Sequence, residues 1–279
     1  MAARTPIAAI KRVWERIAPL QLAERSWDNV GVLVEAPFPE TRERKQVLLT
    51  IDLTPSVCAE ALALPACSAV ISYHPPIFRG LKSITLGDPL QASLLKLAAR
   101  GISVFAPHTS LDATPNGINT WLVEPFKGNS SAIEVVTATE NPPEGFEGAG
   151  MGKIVRLKVG MSLEDVVATV KKHLGLQYVQ VATPNPERKV ESVAVCAGSG
   201  GGVLRGVKAD LLLTGEMSHH EVLACVAAGQ TVILANHSNT ERPYLKAVLQ
   251  PWLQRELDTE GAGWEVLVST NDADPLRTM

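Results

Sequence analysis

Five of the six histidines in this chain, His74, His108, His219, His220 and His237, fall just after an apolar, strand-like run or at the start of the helix behind it; only His173 does not. In open parallel sheets ligands gather at the carboxyl ends of strands, so residues leaving those ends converge although they are far apart in sequence. His108 and Asp112, like His237 and Glu241, lie four residues apart in the shared pattern H-[ST]-x-x-[DE]. If such a segment turns helically, imidazole and carboxylate share one face, as a divalent ion requires of a short motif. His74 follows one further strand-like run, and Glu216 with His219 and His220 follows another. Carboxylates can bridge, so one or two ions per chain, about 3.5–4 Å apart if two, would polarise a substrate oxygen and lower the pKa of a bound water. Donors that are all nitrogen and oxygen point to zinc, iron or manganese.

Each of these residues has an ordinary alternative. A lone histidine is most often a core or cap residue, and adjacent residues such as His219 and His220 face different directions on a helix, so one of them reads as an orienting neighbour of a ligand. Collectively the pattern favours a metal centre, with Glu216 or an imidazole of the His219-His220 pair moving protons. Asp28 and Asp52 read as cap or turn residues. Gly198-Ser199-Gly200-Gly201-Gly202 follows a strand-like run and opens a helix. It reads equally as an anion cradle and as a tight turn needing positive φ. It is not a Walker A loop, and no G-x-S-x-G elbow is present, which disfavours a serine nucleophile.

The elements that must position these side chains follow from periodicity. Ile7, Ile10, Val13, Trp14 and Ile17 predict an amphipathic helix over residues 6–18, ended by Pro19. Strands are expected at Val47–Ile51, Ala69–Ser72 and Ile102–Ala106, separated by helices opening at Thr54-Pro55 and after Pro89. Such alternation implies parallel βαβ units. Residues 128–152, rich in Asn, Ser, Pro, Glu and Gly, read as a surface connection with one strand at Ile133–Val136. Further strands are expected at Ile154–Val159, Gln177–Ala182, Val193–Ala197, Ala209–Leu213 and Val232–Ala235, with a helix from the Ser162–Asp165 cap to His173. The pattern of residues 46–112 thus recurs over 190–241, which reads as an internal duplication.

Composition narrows the classes of function. The 279 residues are 46% hydrophobic and 20% charged, ordinary for a folded chain and wrong for a disordered one. A net charge of −3 without a long basic run argues against binding nucleic acid or anionic membranes by bulk charge. No apolar run approaches the ~20 residues needed to span a bilayer. Cys58, Cys67, Cys196 and Cys225 lack C-x-x-C spacing and sit in apolar stretches, so they read as buried, reduced thiols. A cytoplasmic location fits best; the basic bias of residues 1–22 makes mitochondrial import the alternative.

Five segments together resemble one family, the Nif-three-like proteins of NGG-interacting factor type, also labelled GTP cyclohydrolase I type 2 homologues. They are Ser26-Trp27-Asp28-Asn29-Val30-Gly31, Ser72-Tyr73-His74-Pro75-Pro76-Ile77-Phe78, His108-Thr109-Ser110-Leu111-Asp112, Thr214-Gly215-Glu216-Met217-Ser218-His219-His220 and His237-Ser238-Asn239-Thr240-Glu241. The resemblance implies an α/β fold of two intertwined, internally duplicated lobes with mainly parallel sheets and a di-metal site in the cleft between them. Residues 1–127 with 231–279 would form the first lobe and 128–230 the second. By motif match, His74, Asp112, His237 and Glu241 would be metal ligands with His108 beside them, and Glu216, His219 and His220 would line the cleft. Many members carry two adjacent histidines where this chain has Tyr73-His74, so one ligand of the second metal position is missing. The resemblance further implies a homo-oligomer, often a hexameric ring, and a metal-dependent, hydrolase-like activity on a small molecule such as a nucleotide or another phosphorylated or heterocyclic metabolite. The competing expectation is a non-catalytic metal-binding protein that partners a transcriptional regulator.

Overall fold

The computed structural model describes residues 5–38 and 43–276. In chain order it forms helix α1 (Pro6–Ile17), strands β1 (Gly31–Val34) and β2 (Lys45–Thr50), helix α2 (Pro55–Ala63), strand β3 (Cys67–Ser72), helix α3 (Pro89–Ala99), strand β4 (Ser103–Ala106), and helices α4 (Thr109–Ala113) and α5 (Ile118–Val123). Strands β5 (Ser130–Ala138) and β6 (Gly150–Met161) follow, then α6 (Leu163–Leu174), β7 (Gln180–Ala182), β8 (Val190–Cys196), α7 (Gly201–Leu204), β9 (Leu211–Thr214), α8 (His219–Ala227) and β10 (Thr231–Leu234). The last elements are α9 (Arg242–Tyr244), α10 (Gln250–Asp258) and β11 (Trp264–Val268). Among the described residues no helix is long and apolar enough to cross a membrane.

The chain divides into two compact units, each made from two stretches of sequence. The first takes the chain through Leu111 and again over Leu245–Ala273. Its sheet has the order β1-β4-β3-β2-β11, parallel except for β1. Buried on both faces, β2 and β3 are nearly continuous apolar runs rather than alternating ones. Thr54 caps α2 by accepting the Val57 N–H, with Pro55 pre-set for the first turn, and Asp88 does the same for α3. The two helices close a core of Leu48, Val57, Cys58, Val70, Leu94 and Leu97. The predicted apolar stripe of α1 is buried, with Trp14 against Phe105 at a ring separation of 5.1 Å.

The second unit takes Asp112–Tyr244 and the chain from Asp274. Its sheet, β5-β6-β8-β9-β10-β7, is mixed: β8, β9 and β10 are parallel at the centre, and β5, β6 and β7 are antiparallel around them. Residues 128–152 therefore do more than connect. Ser130–Ala138 is a full strand paired with β6, and only the Pro- and Gly-rich residues between them form the turn. At Gly150 a Cβ would collide with the Thr137 carbonyl oxygen, so the glycine reports close strand approach and not a flexible loop.

The lobe limits expected at 127/128 and 230/231 lie instead at 111/112 and 244/245. The reason is hydrogen bonding: β10 is held between β9 and β7 and cannot leave the second sheet. The duplication is visible as topology and extends further toward the N-terminus than the sequence repeat. The series α1-β1-β2-α2-β3-α3-β4 gives the order β1-β4-β3-β2, and α6-β7-β8-α7-β9-α8-β10 gives β7-β10-β9-β8, each with its first strand antiparallel to its last.

Candidate metal centre

In the first unit, the residues leaving the carboxyl ends of β3 and β4 meet. The backbone ladder runs past the strands: Tyr73 and His74 donate their N–H groups to the carbonyls of Thr50 and Ile51, and His108 donates to that of Tyr73. His74 Nδ1 then lies 2.9 Å from Asp52 Oδ1, and His108 Nδ1 lies 2.7 Å from Asp28 Oδ1. The two imidazoles sit edge to face with ring centres 5.5 Å apart. The Asp28 side chain is wholly buried, and its second oxygen accepts from both the hydroxyl and the N–H of Thr109. Burial alone would raise its carboxyl; the bonds from His108 and Thr109 outweigh that and hold it below its ordinary value. Asp28 and Asp52 are thus histidine partners, and the cap or turn reading of both is corrected. His108 has φ of 35°, a conformation rare for a side chain with a Cβ and found where surrounding contacts over-determine the backbone. Tyr73 is 2% exposed and packs its ring against both His74 and His108.

In the second unit the ends of β8, β9 and β10 converge. His237 Nδ1 lies 2.9 Å from Glu216 Oε1, and its Nε2 lies 3.4 Å from Glu241 Oε1. Glu241 is 1% exposed and Asp112 is buried as well. Both charges reach Cys196, whose thiol is pushed far up, first by burial and then by these two carboxylates. Asn119 ties the cluster to the sheet by donating to the Asp112 carbonyl and accepting the Ala197 N–H. Nothing in the sequence pattern marks Asn119 for that task.

The glycine loop settles as a packing device. Gly198 has φ of +61°, and a Cβ there would lie 2.6 Å from Glu241 Oε1 and 2.9 Å from His237 Nε2. Its N–H donates to Thr240 Oγ1, and that of Gly200 donates to Thr214 Oγ1. A Cβ at Gly201 would meet the Glu221 carboxylate, so a negative side chain already faces the turn expected of an anion cradle. The tight-turn alternative is the one realised.

Not every expected residue joins these clusters. Glu216 is bonded to His237, which makes it an orienting group for that ring. His219 and His220 are exposed on the first turn of α8, behind a capping box of Ser218 and Glu221, and no hydrogen bond or ion pair among the described residues joins either to His237, Glu216 or Glu241.

His74, His108 and His237 share one device: each presents Nδ1 to a carboxylate. A neutral imidazole bonded in this way keeps its proton on Nδ1 and turns the Nε2 lone pair outward, which is the tautomer and orientation that metal-ligating histidines require. With the Glu241 carboxylate beside it, His237 offers a nitrogen and an oxygen donor, the chemistry that suits zinc, iron or manganese.

A family model described as Duf34/NIF3 (NGG1p interacting factor 3) matches residues 5–275. The chain is 49% identical to the Protein NIF3 homolog of Schizosaccharomyces pombe over 97% of both chains. It is 38% identical to the NGG1-interacting factor 3 of Saccharomyces cerevisiae, over 98% of this chain and 97% of that one. The crystal structure of a Bacillus cereus protein related to NIF3 superposes with a TM-score of 0.83 at 21% identity, covering 98% of each chain, which establishes the common fold. A family model spanning nearly the whole chain, and close relatives of the same length, place this protein in the Duf34/NIF3 family.

Proposed function

We propose that the protein binds one or two divalent metal ions per chain and acts as a metal-dependent, hydrolase-like enzyme on a small molecule. His74 and His108 supply imidazoles, and Asp112, His237 and Glu241 complete the donor set. The observation carrying this reading is the repeated pairing of imidazole Nδ1 with a carboxylate at all three histidines. A bound ion supplies Lewis acidity toward a substrate oxygen or water. The chain's own residues do the positioning: Asp28, Asp52 and Glu216 hold the rings, and Gly198 lets the backbone approach Glu241 and His237. His219 and His220, solvent-facing on α8, are the candidates for moving protons.

Elemental analysis of the purified protein beside the His237→Ala, Glu241→Ala double variant tests the ligand set. Equal metal in both removes it. Turnover is tested by following substrate depletion in a metabolite extract with the parent and with Glu216→Gln.

A second reading is a binding protein whose metal centre supports the fold. It is favoured by the name of the Saccharomyces cerevisiae relative, an interacting factor, and by exposed apolar side chains in the first unit, Trp27, Phe78, Leu81, Ile84 and Leu86. Protein partner binding that survives ligand substitution would favour it. A homo-oligomer, a ring of six by analogy with the family, belongs to both readings and is checked by light scattering; fractionation of cells checks the expected cytoplasmic location against the mitochondrion.

A further inference from the structure

A pocket of about 600 Å³ opens in the second unit where β7 begins and β10 ends. Gln180 and Leu234 are paired across the antiparallel ladder, so the residues before the one and after the other border a common space. Four of the ten lining residues are carboxamides: Gln177, Gln180, Asn236 and Asn239. Ten residues drawn at this chain's composition would include fewer than one. None of the ten is charged, and the one aromatic ring, Tyr178, is 59% exposed. Asn239 is committed, donating to the Ala235 carbonyl and bracing the turn. The side chains of Gln177, Gln180 and Asn236 make no hydrogen bond to another described residue. Asn236 has φ of 67° and precedes His237 directly, so the pocket wall and the candidate metal ligand belong to one turn.

These surfaces select a ligand by chemistry. Among the described residues the pocket has no cation to neutralise a phosphate or carboxylate and no acid to meet an amine. Carboxamides present paired donors and acceptors, which match the edge of a flat heterocycle, and an exposed tyrosine offers a face for stacking. The volume suits a small organic ligand. We propose that this pocket binds an uncharged planar heterocycle of nucleobase or nucleoside size, with its edge on Gln177, Gln180 and Asn236 and its face on Tyr178. As a substrate class the assignment rests on the metal-dependent reading; as a binding site it does not.

The test is calorimetric titration of the full-length protein with adenosine, guanosine and uridine and their 5′-monophosphates, with and without prior chelation. The expected result is saturable binding of at least one nucleoside, weakened about tenfold by Tyr178→Ala and by Asn236→Gly, the latter chosen because glycine keeps the backbone conformation. Tyr178 is exposed, so an unchanged melting temperature confirms that its variant is folded. Binding that persists after chelation supports the pocket whatever the metal content of the His237→Ala, Glu241→Ala variant, which reports on the metal reading alone. The assignment is overturned if no nucleoside binds, if both pocket variants bind as the parent does, or if a monophosphate binds about tenfold more tightly than its nucleoside, the sign of an anion site.

Discussion

Asp28 shows what a single side chain contributes here, because it holds His108 by Nδ1 and Thr109 by hydroxyl and N–H at once. Asn in its place keeps the shape but removes the charge that fixes the imidazole tautomer. Asp28→Asn is expected to weaken metal binding about tenfold, read by competition with a chelator. Gly198 makes the complementary case, where a methyl group is the perturbation. Gly198→Ala places a Cβ against Glu241 and His237 in a left-handed backbone, and a loss of about 1–3 kcal/mol in chemical denaturation together with reduced metal content is expected. Tyr73 occupies the space beside both first-unit histidines, so Tyr73→His should raise the metal stoichiometry; an unchanged titration would mark Tyr73 as packing alone. The histidines themselves were legible because each leaves a strand with a recognisable motif. Two of their carboxylate partners, Asp28 and Asp52, were not: Asp28 and His108 are joined by the antiparallel pairing of β1 with β4, which local periodicity does not contain.

At the scale of elements, α6 carries the histidine that stands apart from the others. His173 Nε2 lies 3.0 Å from the Trp121 carbonyl, and its ring packs on the Trp121 indole at 4.1 Å. Burial lowers its imidazole below the ordinary 6.5, while the Trp121 carbonyl and Glu124 oppose that shift. The neutral form is therefore the folded form. As pH falls through the unfolded value the unfolded chain takes the proton first, so this contribution is complete above about pH 7 and declines until the folded group titrates too. Melting temperature should fall as the pH drops below about 7, and His173→Gln should flatten that part of the profile. Helix starts were the most legible elements, since Thr54 and Ser162 act through their nearest neighbours. In the β5–β6 pair the strands at Ile133–Val136 and Ile154–Val159 were legible from their β-branched residues, whereas their full lengths and their pairing across the Pro- and Gly-rich turn were not.

For the whole molecule, the α/β class and the repeat were readable from alternating strands and helices, whereas the limits of the units were not. Those limits depend on which strands share a sheet, and β11 joins β2 although Asp112–Tyr244 of the second unit intervene in sequence. The same topology bears on how the chain is made. During synthesis the edge of β2 at residues 45–50 emerges early and stays open until residues 264–268 leave the ribosome. Unpaired edges of this kind recruit foreign strands and lead to aggregation. A nascent chain arrested before Trp264 should accordingly partition to the insoluble fraction, while one arrested beyond Asp272, with β11 laid down and Ile51 bonded by the Asp272 carboxylate, should stay soluble. Equal solubility of the two arrested chains would show that β2 is shielded by some other means while it waits.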